Sequence, residues 1–162
     1  MTQDSDVQRF WSAYASAEQV PAASYTVFRF GDSDELAEKL VRLVLSGKKR
    51  ATTSLLRDFT ATHQPLPRPG DFGVVVDAQN EPRCIVRTTD VSVKLIREVD
   101  EAFAQDEGGG DCSLSWWQSS HARYFRRQGA REGFVFDDNS QVVLVRFELV
   151  WPRQVVQHAS WV

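Results

Sequence analysis

In the stretch Gly47-Lys48-Lys49-Arg50-Ala51-Thr52-Thr53-Ser54 the sequence sets amines, a guanidinium and hydroxyls side by side with no acid among them. Packed into so few residues at an element boundary, such groups suit the binding of a polar ligand. Cations also complement the dipole at a helix C-terminus, so charge placement alone is the plain structural reading. The uncharged run Ala51 to Leu56, with its two β-branched threonines, reads as a strand that starts where a helix ends. Such a boundary is where a rigid scaffold holds functional loops.

A second constellation is Phe103-Ala104-Gln105-Asp106-Glu107-Gly108-Gly109-Gly110-Asp111-Cys112-Ser113, followed by Trp116, Trp117, His121, Tyr124 and Phe125. A carboxylate at a helix end, followed by glycines that leave the backbone uncovered, can approach a ligand closely. A solvated acidic turn is the alternative. Helical spacing places Trp117, His121 and Phe125 on one face and Trp116, Ser120 and Tyr124 on the next. Most of these belong in a core, and a single histidine on an aromatic face reads first as hydrogen-bonded structure. One tryptophan, with His121 and the arginines behind it, would offer a stacking surface for a base. Charge is segregated along the chain. Residues 47–57 and 121–131 carry bases and no acid, whereas residues 98–111 carry acids and no base. A fold that joins them makes a polar site with both signs of charge.

The elements that must position these groups follow from periodicity. A helix from about Asp4 to Ala17 carries Val7, Phe10, Trp11 and Tyr14 as an aromatic stripe, and Val20-Pro21-Ala22-Ala23 ends it. Tyr25 to Phe30 reads as a strand and Gly31-Asp32-Ser33 as a turn. Asp32 and Glu35 have the spacing of a capping box for a helix whose apolar face is Leu36, Leu40, Leu43 and Val44, with Gly47 as its C-cap. Pro65, Pro67 and Pro69 make 63–70 a loop. Phe72 to Val76 and Arg83 to Val93 read as an antiparallel hairpin across Ala78-Gln79-Asn80. Arg97 to Asp106 reads as a helix. Ser113 caps another that runs to about Gln128 with Gly129 as terminator, and Gln141 to Trp151 is the last strand. Strands joined mostly by turns and loops, with helices between some of them, favour a small mixed or antiparallel barrel with flanking helices over a doubly wound sheet.

The chain has 162 residues, 42% hydrophobic and 25% charged, which suits one globular domain with a sizeable core. No apolar run reaches the length of a membrane span, and the polar, acidic amino end does not resemble a signal peptide, so a cytoplasmic protein without membrane contact is expected. Cys84 and Cys112 form no C-x-x-C or Cys/His cluster and read as reduced thiols. With 19 basic against 22 acidic residues, the net charge of -3 argues against long, non-specific binding to nucleic acid, and no DNA duplex is expected as a partner.

Taken in order and spacing, a further set of segments resembles the ASCH family, most closely its larger bacterial branch. These are Phe30-Gly31-Asp32-Ser33, Gly47-Lys48-Lys49-Arg50-Ala51-Thr52, Pro69-Gly70-Asp71 and Cys84-Ile85-Val86-Arg87-Thr88-Thr89. Phe103-Ala104, Glu107-Gly108, Gly110-Asp111, Ser113, Trp117, His121 and Arg146-Phe147-Glu148 complete it. The likeness spans roughly 28–151. It implies an α+β, PUA-like fold: a small β-barrel with helices packed on it, related to RNA-binding modules, in a single domain over 1–162. Residues 1–23 would then be a helical extension and 152–162 a tail in which Trp161 packs. Some small members are amidohydrolases that remove the acetyl group of 4-acetylcytidine with a Lys, a Thr and a Glu, and these fall on Lys49, Thr52 and Glu107. The resemblance places a cleft near Lys49, with Lys48, Arg50, Ser54, Arg87, Thr88, Asp111, Trp117 and His121 as candidate substrate-binding groups. Other members resemble RNA-binding proteins or ribonucleases.

Two positions depart from the larger branch: Gly109 and Val145 stand where a carboxylate is usual. Roles that need a second acid, metal binding included, are therefore not expected, and no cofactor is implied. Three functions remain open: an amidohydrolase acting on an N-acylated nucleoside, a ribonuclease, and a binder of a small nucleoside or single-stranded RNA. Lys49, Thr52, Glu107 and either Arg87 or Thr88 are expected to converge on one concave site.

Overall fold

A computed structural model describes residues 2–21 and 24–153. Ala22 and Ala23, and the tail from 154 that contains Trp161, lie outside the described residues. The elements run α1 (Thr2–Ala17), β1 (Tyr25–Phe28), α2 (Asp34–Leu45), β2 (Ala51–Leu55), α3 (Leu56–Thr60), β3 (Phe72–Val76) and β4 (Pro82–Leu95). A 3-10 turn, Ile96–Glu98, leads to α4 (Glu101–Glu107), α5 (Leu114–Glu132) and β5 (Gln141–Trp151).

The strands form a five-stranded sheet in the order β1-β3-β4-β5-β2. Only β1 and β3 run parallel; the other neighbours are antiparallel. The fold is α+β, with helices packed on a mostly antiparallel sheet. β1 and β2 are edges that do not pair among the described residues, so the small mixed or antiparallel barrel of the sequence reading is left unclosed, as an open sheet. Helix packing rather than a β1–β2 ladder covers it. On β3 and β4, alternation sends Val74, Val76 and Ile85 into a cluster with Val7, Trp11 and Tyr14 of α1. Val75, Cys84 and Val86 pack instead with Val41 and Val44 of α2. A third cluster joins Ala51, Leu55, Val142 and Leu144 of the sheet to Phe103 of α4 and to Trp117 and Phe125 of α5.

Several local expectations are revised. Helix α2 is capped by Ser33, whose hydroxyl accepts from the Leu36 N–H at 3.1 Å, not by Asp32. Asp32 instead accepts from Arg127 of α5 at 2.9 Å, and that bond holds its carboxyl below the usual range. The chain turns from β2 directly into α3, which is too short for its periodicity to register in the sequence. Gly129 does not end α5: the helix continues to Gly133, and a Cβ at 129 would meet the Phe134 carbonyl oxygen at 2.5 Å. Glycine there serves close packing. Among the described residues no helix is long and apolar enough to cross a membrane.

Candidate active site

After α2 the chain folds back on its own last turn, where the N–H groups of Lys48 and Lys49 both donate to the Leu43 carbonyl. Gly47, at φ 84°, permits that reversal. The Arg50 N–H donates to the Asp106 carbonyl at 2.6 Å, which ties the start of β2 to the last turn of α4. Gly108 completes the approach. It caps α4 at φ 77°, and a Cβ there would lie 2.5 Å from the Lys48 carbonyl oxygen, so only a residue without a side chain fits. Lys49 and Glu107, distant in sequence, are brought together by these contacts.

The pair is buried, with side chains 3% and 7% exposed. Lys49 Nζ donates to Glu107 Oε1 at 2.9 Å and to the Ala51 carbonyl at 2.7 Å, and lies 5.2 Å from the centre of the Phe30 ring. Both hydrogen-bond neighbours are acceptors, the environment an ammonium requires. Glu107 Oε2 accepts from Thr53 Oγ1 at 2.5 Å and from Trp117 Nε1 at 3.1 Å, and meets His121 Nε2 at 3.1 Å. His121 Nδ1 faces the Trp117 carbonyl at 2.9 Å, so both ring nitrogens look at acceptors. Burial alone would raise the Glu107 carboxyl. The charges of Lys49 and His121, with hydrogen bonds from His121 and Thr53, outweigh it and hold the group well below the usual carboxylate range.

The pair forms the floor of a cleft. One wall is Phe30, Gly31, Leu36 and Leu40; the other is Gly109, Trp116, Ser120, His121 and Tyr124, with Thr52 and Thr53 between them. Successive strand residues face opposite sides of a sheet, and the register sets Thr52 opposite Val145 and Thr53 opposite Leu144. Both reach one cleft because β2 is an edge strand and the cleft wraps around that edge. Thr53 is bonded to Glu107, whereas the Thr52 hydroxyl has no protein partner among the described residues.

Of the residues singled out from sequence, Lys49, Thr52, Glu107 and His121 come together here. Trp117 lies beneath, 1% exposed and stacked on His121 at 4.1 Å, so it holds the carboxylate rather than lining the cleft. Lys48, Arg50, Ser54, Arg87, Thr88 and Asp111 are not in the lining. Arg50 is turned outward to pair with Asp106, and Asp111 accepts from the Ser113 N–H in its own turn. The expectation that Arg87 or Thr88 would join is corrected. The ladder places Arg87 opposite Phe72 and Glu148, and Thr88 exchanges backbone bonds with Gly70 and Asp71. Sequence reasoning missed the role of Thr53, which only the position of Glu107 reveals, and the aliphatic wall of α2, whose spacing marked Leu36 and Leu40 as core. Among the described residues no group of His, Cys, Asp and Glu is arranged to hold a metal.

Four of the six arginines of the two basic segments pair with acids, Arg50 with Asp106, Arg57 with Glu132, and Arg127 and Arg131 both with Asp32, whereas Arg123 and Arg126 are exposed with no acid partner among the described residues. The ASCH domain model matches residues 26–151. The chain is similar to the crystal structure of an ASCH domain from Lactobacillus crispatus JV V101, at 32% identity over 88% of this chain and 92% of that one, with a TM-score of 0.82. Protein EF3133 from Enterococcus faecalis V583 is similar at 33% identity over 90% and 88%, with a TM-score of 0.84. No curated protein matches.

Proposed function

The chain belongs to the ASCH domain family, and from that premise and the buried Lys49–Glu107 pair we propose that it is an amidohydrolase acting on an N-acylated nucleoside of the 4-acetylcytidine type. The observation that carries this reading is an ion pair in the floor of a cleft, with an unpartnered hydroxyl, Thr52, beside it. A buried pair is weak evidence for stability, since desolvation offsets its Coulomb gain, so its position at a cleft favours chemistry.

In this reading Lys49 acts as the ammonium. The substrate carbonyl enters toward it, Thr52 Oγ attacks the acyl carbon, and negative charge builds on the carbonyl oxygen opposite Nζ. The Thr52 proton passes to Glu107. That carboxylate is a weak base while Lys49 is fully engaged with it. As the developing oxyanion draws the ammonium away, one of the charges holding Glu107 acidic is shared and its basicity rises. Collapse breaks the C–N bond, the exocyclic amine leaves with the proton, and water then hydrolyses the acyl-threonine to carboxylate and free hydroxyl.

A ribonuclease is less well supported, because among the described residues no second histidine lines the cleft beside His121. A phosphate-led RNA binder is disfavoured by the pairing of Arg50, Arg57, Arg127 and Arg131 with acids. The test is chromatographic turnover of 4-acetylcytidine by the wild type and by Lys49→Ala, Thr52→Ala and Glu107→Ala, each checked for folding by circular dichroism. The expected result is turnover by the wild type and a loss of at least about a hundredfold in each variant. A wild type inert toward every N-acylated cytidine tried, or a folded Lys49→Ala of normal activity, refutes the reading.

A further inference from the structure

Trp116 is an aromatic residue of the cleft to which the proposed chemistry gives no task. Its position is set by Ser113, which caps α5 by accepting from the Trp116 N–H at 3.1 Å. Its plane is set by the glycine loop. A Cβ on Gly110 would lie 2.2 Å from Trp116 Cε2 and 2.3 Å from Cδ2, and one on Gly109 would lie 2.6 Å from Cζ3. Cδ2 and Cε2 form the bond shared by the two indole rings, and a neighbour reaches both at nearly equal distance through the face of the ring. Gly110 therefore packs against one face of Trp116 and Gly109 against the outer edge of its six-membered ring, and a side chain at either position would displace the indole. Trp117 differs: its ring is buried on His121, and its N–H is spent on Glu107. Trp116 Nε1 has no protein acceptor among the described residues.

One face of Trp116 rests on Gly110 and the residue lines the cleft, which leaves the other face as the one a ligand there can stack on. Phe30, Leu36 and Leu40 stand on the opposite wall. We infer that Trp116 is the specificity-determining residue of this site: its free face stacks a flat aromatic heterocycle, and the ring it selects carries the amide toward Lys49 and Thr52. The direction of the amide rests on the hydrolase reading; the stacking rests on the glycine-backed indole alone. An aliphatic N-acyl amide of the same acyl group lacks the stacking partner and gains nothing from Trp116.

The test pairs calorimetric titration with cytidine and steady-state kinetics on 4-acetylcytidine, for the wild type, Trp116→Leu, Trp116→Phe and Gly110→Ala. Trp116→Leu keeps an apolar side chain but loses the plane. Its KM for 4-acetylcytidine and its Kd for cytidine should rise about 5- to 150-fold with little change in kcat, the range set by alanine substitution of base-stacking aromatics. Trp116→Phe should recover most of the loss. Gly110→Ala should reproduce it with the tryptophan still present, which a merely structural role for the ring would not require. Wild-type turnover with an unchanged KM and Kd in Trp116→Leu overturns the inference and leaves the hydrolase reading standing. Cytidine binding that depends on Trp116, without turnover of any acylated nucleoside, removes the hydrolase reading and keeps the stacking site. No cytidine binding by the wild type overturns the inference.

Discussion

Glu107→Gln is the most demanding perturbation of this structure, because it keeps shape and volume while removing one charge. The carboxylate accepts on both oxygens: Oε1 from Lys49, Oε2 from Thr53, Trp117 and His121. An amide offers an acceptor on one side only, so its NH2 must face either the Lys49 ammonium or the three donors around Oε2. Either way the Lys49 charge stays 3% exposed without its counter-ion. Breaking a buried pair from one side costs about 3–5 kcal/mol. For a domain of this size that is a fall in Tm of about 6–20 °C, within the roughly 5–15 kcal/mol a domain can lose from. Lys49→Met should cost less, since the stranded carboxylate keeps Thr53, Trp117 and His121 as donors. The pH dependence has a definite sign. Glu107 is ionised in the folded protein below the point at which it protonates in the unfolded chain, so its contribution is complete above about pH 4.3 and is lost as pH falls further. The wild type should therefore lose stability below that pH by up to about 1.4 kcal/mol per unit from this group, a share absent in Glu107→Gln. Urea unfolding across about pH 3–7 measures both. A Glu107→Gln loss under about 1 kcal/mol, or a larger loss in Lys49→Met, refutes the account of the buried pair.

Thr53→Val should slow turnover of 4-acetylcytidine and lower stability by about 1–3 kcal/mol, because it removes a donor from a buried carboxylate; Thr52→Val should abolish turnover and leave the melting curve nearly unchanged. The reverse pattern in paired melting and kinetic assays would make Thr53 the attacking hydroxyl. With Glu107 ionised throughout, kcat/KM should be flat from about pH 5 to 7, whereas a rate that climbs with pH and loses this limb in Lys49→Arg would give the base role to Lys49. Gly129→Ala should cost about 1–3 kcal/mol in urea unfolding, since the new methyl meets the Phe134 carbonyl. Asp32→Ala, which frees two half-exposed arginines, should cost no more than about 1 kcal/mol, and a larger loss would mean that this contact clamps the α2 turn to α5.

What the sequence reveals here is what is local. Lys49 and Thr52 fall beside a helix stop and a strand start, and Glu107 beside a glycine turn, so each is visible within a few residues. The pairing of Lys49 with Glu107 depends on the Arg50–Asp106 backbone bond and on the room at Gly108, and these follow only from the assembled fold. Arg87 and Thr88 show the opposite error. Their types suit a binding site, yet strand register carries Arg87 to the part of the sheet near Tyr14 of α1 and sets Thr88 opposite Phe147. Asp32 and Ser33 are equally good caps by type, and the tertiary claim of Arg127 on Asp32 leaves the helix to Ser33. The parallel β1–β3 pair was illegible for a similar reason: it joins segments separated by α2, β2, α3 and a proline-rich loop, and no local signal encodes that return.

The edge position of β2 connects these facts to chemistry. In the middle of a sheet, Thr52 and Thr53 would serve different layers, one under α2 and one under α5, and no ligand could meet both. At the edge, the α2 wall and the α5 wall curve around the strand and enclose both hydroxyls in one cleft. An exposed edge is ordinarily a liability, since its free backbone groups invite pairing with another chain. Here the start of that edge is secured by the Arg50 N–H bond to Asp106, the same bond that brings the end of α4 alongside Lys49. Covering the edge and assembling the buried pair are one structural act, so variants that loosen the α4 end should lose the site before they lose the sheet.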